Sequence, residues 1–241
     1  MSAAEPFRVL ITRAEPGATR SCQALDARGF EAINAATATL KTHEITLDLK
    51  GVCLIAVTSP FGANCLAEAT PERRLPVIAV GDVTASRLRE AGFGKVNSAS
   101  GDARDLLAMI RERAPEGEVL HVRGVDQTGD LSAELLAKGI RARSEILYAA
   151  EPVSALPENI WAALSDGVPI LIHSAKGAER FVALADAAQQ LEALQASAVI
   201  AISAAAAEPL QRLGVQDITL AKHPDETALF AALEKRLSAR A

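Results

Sequence analysis

The chain has 241 residues, of which 49% are hydrophobic, 23% charged and only 3% aromatic, with a net charge of -5. That composition supplies a packed core for one large or two small domains and excludes a disordered chain. The acidic balance, one Trp and one Tyr argue against a nucleic-acid binder, which needs a basic face or stacking platforms.

No uninterrupted apolar run approaches the roughly 20 residues of a membrane span, and the start MSAAEPFR lacks the cationic and apolar regions of a signal peptide. Cytoplasmic residence without membrane contact is therefore expected. Cys22, Cys53 and Cys65 are an odd number without the density of a disulfide scaffold and are expected to be reduced core thiols.

In chain order, Val9 to Ile11 is a short apolar run followed by Glu15-Pro16-Gly17, then by apolar positions Cys22, Leu25 and Phe30 closing on Arg28-Gly29. That is a strand, a turn and a helix with its stop signal. Val52 to Val57 leads through Ser59-Pro60 into a helix near Phe61 to Ala69. Val77 to Val80 leads through Gly81 into Val83 to Ala91, and Asp102 to Arg113 reads as a helix with acids first and bases last. Alternating apolar strands and helices predict parallel sheets covered on both faces, an α/β fold.

The pattern is duplicated. VLITRAEPGATRSCQALDARGFEA from Val9 aligns without a gap on VLHVRGVDQTGDLSAELLAKGIRA from Val119, an offset of 110. IAVTSPFGANCL from Ile55 matches ILIHSAKGAERF from Ile170 at offset 115, and VIAVGDVTASRLREAGFGKV from Val77 matches VIAISAAAAEPLQRLGVQDI from Val199 at offset 122. Three matches in register predict two related, doubly wound domains. Ala35 to Thr42 and Ile146 to Val153 break the pattern, each directly after a first-type helix, and read as extended interdomain connectors. Periodicity leaves open whether each domain is contiguous or whether the first strand and helix are exchanged.

Ligands of open parallel sheets bind beyond the carboxyl ends of the strands, where helix N-termini present free N–H groups. The sequence places Thr12-Arg13, Thr58-Ser59, Gly81 with Thr84, Arg123-Gly124 and His173-Ser174 with Lys176 at those ends. Hydroxyls, amides and cations there suit a ligand with several carboxylates or phosphates, while for Ser59, Thr84 and Ser174 helix capping is the competing role. Dinucleotide, P-loop and nucleophile-elbow motifs are absent. The four histidines lack metal-ligand spacing, so no metal is expected, and His121 within VLHVR reads as a satisfied core or sheet-edge imidazole.

At these residues the chain resembles the uroporphyrinogen-III synthases, enzymes of tetrapyrrole biosynthesis. The resemblance runs through VLITRAEPG, IAVTSPFGAN, VIAVGDVTASRLREAGF, VLHVRG and Tyr148 in ILYAAEP. It implies two similar flavodoxin-like parallel-sheet domains joined by a two-stranded antiparallel ribbon: residues 1–34 with 154–241, residues 43–145, and ribbon strands 35–42 and 146–153. It also implies a site between lobes that move about the ribbon, and a cofactor-free monomer in contact with hydroxymethylbilane synthase.

The implied reaction converts hydroxymethylbilane, with eight carboxylates, into uroporphyrinogen III and water, through an azafulvene cation and a spiro intermediate that inverts the last ring. The resemblance makes Tyr148 the proton donor or leaving-group binder. It makes Ser59, Thr84 and Ser174 binders of propionate or acetate groups; the strand-end reading adds Thr12, Thr58 and Gly81 to the substrate-binding set, Ser203 joins it as the substitute for a lost hydroxyl, and Arg13, Arg123 and Lys176 are the source of positive charge. One departure stands out: the second Gly-x-x-Thr turn of the family is Ser203 to Ala206 here, with Ser203 in the glycine place and Ala206 in the threonine place. A non-catalytic tetrapyrrole-binding or partner protein on the same scaffold is the competing reading, and an exported solute receptor is disfavoured.

Overall fold

The computed structural model describes residues 6–126 and 129–238. The chain begins with β1 (Arg8–Ile11), α1 (Gly17–Asp26), β2 (Glu31–Asn34) and β3 (Ala38–Thr42). It continues through β4 (Val52–Val57), α2 (Pro60–Ala69), β5 (Val77–Ala79), α3 (Asp82–Glu90), β6 (Val96–Ser98), α4 (Ala103–Arg113), β7 (Glu118–Gly124), α5 (Leu131–Leu136) and β8 (Ala142–Pro152). The last third holds α6 (Glu158–Ser165), β9 (Ile170–Ile172), α7 (Ala175–Ala187), α8 (Leu191–Gln195), β10 (Val199–Ala201), α9 (Ala204–Leu213), β11 (Ile218–Leu220) and α10 (Glu226–Ser238).

These elements form two compact units, residues 1–40 with 151–241, and residues 41–150. In the first, five parallel strands lie in the order β11-β10-β9-β1-β2. Counted in chain order within that unit, the sheet runs 2-1-3-4-5, the flavodoxin-like winding. In the second unit the order is β8-β7-β4-β5-β6, with β3 added beside β8. The two sheets are equivalent strand for strand once β7 and β8 are set on β1 and β2. The three sequence offsets place β7 on β1, β9 on β4 and β10 on β5, which are those equivalences.

Each sheet is buried on both faces, as crossover helices require. Val9, Leu10 and Ile11 of β1, and Leu54 to Val57 of β4, are closed to solvent. The apolar clusters of the described residues each belong to one unit. Helix starts follow local chemistry. Ser59, Ser174 and Ser203 cap α2, α7 and α9 by accepting the N–H of Gly62, Gly177 and Ala206. Asp102 and Asp105 close a capping box on α4.

Three local expectations need correction. The stretch after α1 is not a connector from the start, because β2 intervenes and pairs in parallel with β1. Its EAIN sequence is a half-exposed edge strand without the continuous apolar run that reveals a central one. After α5 a single long strand does both jobs. β8 pairs in parallel with β7 from Ala142 onward, and its far part lies beside β3, with backbone bonds from His43 to Leu147 and from Val153 to Thr37 running in opposite directions. Thr84 is not a cap either: Gly81 holds that position on α3, and Thr84 lies two residues into the helix, buried.

Candidate active site

In residues 41–150 the switch in winding direction falls between β7 and β4. A cavity of about 390 Å³ opens there, at the carboxyl ends of both strands. Tyr148 reaches it from β8 and Ser59 from the start of α2, and their hydroxyl oxygens are 2.7 Å apart. Ser59 Oγ also accepts the Gly62 N–H at 2.9 Å. The Tyr148 ring meets Phe61 edge to face, with centroids 5.1 Å apart. The ring also lies close to Gly124, where a Cβ would collide with Cε2 and come within 2.7 Å of Cζ. Burial pushes the Tyr148 phenol above its ordinary pKa, with the Ser59 hydroxyl partly offsetting this, so the phenol is a protonated hydrogen-bond donor at neutral pH.

Thr58 lines the same cavity, and so does His121 at its floor. Asp126, Asp130 and Glu134 form the charged lining among the described residues. Asp130 also caps α5 through the Ala133 N–H. The expected cations are placed differently. Arg123 turns its guanidinium back on the carbonyls of Gly124 and Val125, at 3.1 and 3.4 Å. Gly81 and Thr84 belong to the next strand-helix turn and do not line this cavity.

In the other unit the equivalent winding switch lies between β1 and β9. Thr12 there donates its hydroxyl to the Leu171 carbonyl at 2.9 Å and is buried, tying the two strands together. Arg13 is paired with Glu226 at 3.0 Å, and Ser21 also donates to that carboxylate. His173 Nε2 stands 3.6 Å from it. The His173 imidazole, the Ser21 hydroxyl and the Arg13 guanidinium hold the Glu226 carboxyl at about 2, while burial pushes His173 down. Arg13 is thus neutralised locally. Ser174 and Ser203 act as helix caps, and Lys176 is exposed, 3.5 Å from Glu179 on its own helix.

Among the described residues no three His, Cys, Asp or Glu side chains are grouped to hold a metal ion, and no helix is long and apolar enough to cross a membrane. A family profile described as uroporphyrinogen-III synthase HemD matches residues 20–231. The chain belongs to the uroporphyrinogen-III synthase family.

Solved uroporphyrinogen-III synthases share the fold. The enzyme from Helicobacter pylori superposes with a TM-score of 0.68 at 19% identity, over 97% of this chain and 99% of the other. A mutant synthase from the extremely thermophilic bacterium Thermus thermophilus gives 0.54 at 18% identity over 97% and 99%. Comparison with curated proteins returns no match. Of the expected site residues, Thr58, Ser59 and Tyr148 come together at one cavity. The remaining members are spread over caps, strand ties and ion pairs. Sequence reasoning passed over Gly124 as a packing surface, the acids Asp126, Asp130 and Glu134, and the Ser21–Glu226–His173 group. The three acids recur every fourth residue at the start of α5, a spacing the sequence displays, whereas Ser21, Glu226 and His173 meet only across elements and no spacing rule connects them.

Proposed function

We propose that this chain cyclises hydroxymethylbilane to uroporphyrinogen III, with loss of water and inversion of the terminal ring. Family membership sets the reaction, and the hydroxyl pair of Ser59 and Tyr148 at the winding switch carries the assignment of the site. Ser59 Oγ already accepts from Gly62. Its own proton can therefore go to the Tyr148 oxygen, which frees the phenolic O–H to donate to the departing hydroxyl of the bilane.

Loss of that hydroxyl as water leaves a cationic azafulvene. Asp126, Asp130 and Glu134 supply a negative wall for it, which stabilises developing positive charge without a covalent step. The cavity suits one end of the bilane rather than its many carboxylates. Enforcing which ring atom attacks is chiefly a matter of positioning.

The reaction is then a cyclising dehydration, a hydro-lyase step. It requires no cofactor because nothing is oxidised or reduced. We place it in the cytoplasm, in keeping with three free cysteines, in a monomer that receives its labile substrate from hydroxymethylbilane synthase. Bilane freshly generated by that synthase should yield isomer III in excess of the spontaneous product when this chain is added. An unchanged isomer ratio would overturn the assignment. Tyr148→Phe should lower the rate of isomer III formation about tenfold or more, and an unchanged rate would remove Tyr148 from the mechanism.

A further inference from the structure

His121 lies in the middle of β7, which runs between β4 and β8. Its register partners are Ala56 on one side and Ser144 on the other. Its strand neighbours Leu120 and Val122 are closed to solvent, and the imidazole itself is 2% exposed. A polar ring in such a place needs partners, because a buried unsatisfied donor or acceptor is destabilising. Nε2 is 3.5 Å from the Thr58 hydroxyl and Nδ1 is 3.4 Å from the Ser144 hydroxyl. Ser144 in turn is 2.5 Å from the Ser132 hydroxyl on α5. One imidazole therefore joins the end of β4 to the start of β8 and, through Ser144, to the first turn of α5.

Burial, reinforced by the nearby Arg123 charge and opposed by Asp130, brings the His121 pKa down to about 4. At neutral pH the ring is uncharged, so one nitrogen donates and the other accepts, and both hydroxyls are served by a single tautomer. Thr58 is the last residue before the Ser59 cap. Holding its hydroxyl fixes its β-branched side chain and the strand-to-helix turn that aims Ser59 at Tyr148.

We infer that His121 is a positioning residue: through its Nε2 contact with Thr58 it sets the Thr58-Ser59 turn and hence the direction of the Tyr148 hydroxyl. The inference rests on the proposed synthase reaction for its kinetic consequence, but its structural consequence is independent of that reaction. The two ring nitrogens can be separated by substitution, because the amide of Asn stands near the place of Nδ1 and that of Gln near the place of Nε2.

The test combines His121→Asn, His121→Gln, Thr58→Val and the double variant with two readouts. One is the kcat and KM for isomer III formation. The other is the aromatic NMR signal of the single tyrosine in otherwise unlabelled protein. His121→Asn and Thr58→Val should each lower kcat about tenfold with KM changed less than about threefold, and the double variant should be no worse than the poorer single one. His121→Gln should keep kcat within about threefold of the unaltered chain, and its Tyr148 signal should stay in place while that of His121→Asn moves. Equal kcat and an unmoved signal in the Asn and Gln variants would overturn the inference, as would activity lost only in proportion to folded protein. If the unaltered chain makes no excess of isomer III, the proposed function fails, and the Tyr148 signal alone decides the role of His121.

Discussion

A missing methyl group keeps Tyr148 where it is. The ring lies close against Gly124, and a Cβ there would overlap Cε2 and stand only 2.7 Å from Cζ. Gly124→Ala should therefore displace the ring and break its bond to Ser59 while leaving the sheets intact. The expected outcome is activity lost about as severely as in Tyr148→Phe, with unchanged far-ultraviolet circular dichroism. His121 supports a second prediction at this scale. Its pKa is about 4 in the folded chain, against about 6.5 unfolded. The unfolded state thus binds the extra proton first, so the stability tied to this residue is complete above pH 6.5 and is lost as pH falls toward 4. About 3 kcal/mol is at stake, and urea unfolding of His121→Gln should show a shallower loss over that interval than the unaltered chain. Tyr148 and Ser59 could be singled out from the residues and the resemblance they carry. Their meeting could not, because they are 89 positions apart and only the pairing of β8 with β7, and of β7 with β4, brings them to one rim.

The helices and strands divide by how strongly local chemistry specifies them. Central strands announce themselves as continuous apolar runs, and α2, α3 and α4 begin and end within a residue or two of their sequence signals. β2 is hidden because an edge strand with half-exposed positions has no such run, whereas β8 is legible from Ile146 on and only its start is not, because Arg143, Ser144 and Glu145 interrupt the apolar pattern there. Ser174 on α7 offers an element-scale test. It caps the helix at 3.0 Å from the Gly177 amide, so Ser174→Ala should cost about 1 kcal/mol of stability. Lys176→Ala, which removes only an exposed i,i+3 pair, should change stability by less than about 0.5 kcal/mol. Chemical denaturation of the two variants side by side separates these roles. α10 is held differently: Glu226 in its first turn receives Arg13 and Ser21 from the β1-α1 end of the same unit. Arg13 thus serves to anchor an element, which a sequence rich in scattered arginines gives no means of foreseeing.

For the molecule as a whole, the duplication was the most legible feature, since three offsets that drift from 110 to 122 reproduce the strand equivalences of the two sheets. The identical winding order explains why: both copies solve the same crossover problem, so apolar runs and helix stops recur at the same places. Residues 41–150 form one unbroken unit with its own apolar clusters. Expressed alone, this segment should fold and unfold cooperatively, as read by dispersed amide NMR signals and a single denaturation transition. Residues 151–241 alone should not, for they lack β1 and the β1 side chains Leu10 and Ile11 that close the other core.

The same chain order has a consequence for how the protein is made. Thr12 of the opening segment is bound to Leu171, 159 positions later. At about 5–20 residues per second of ribosomal synthesis, that partner emerges roughly 10 to 30 seconds after the segment that needs it. Meanwhile the enclosed unit, residues 41–150, has already been completed. The N-terminal strand must wait with its β9 edge open and its Leu10 face uncovered, so nascent chains stalled before residue 170 are expected to bind chaperones through β1, and to release them once β9 and β10 have left the exit tunnel.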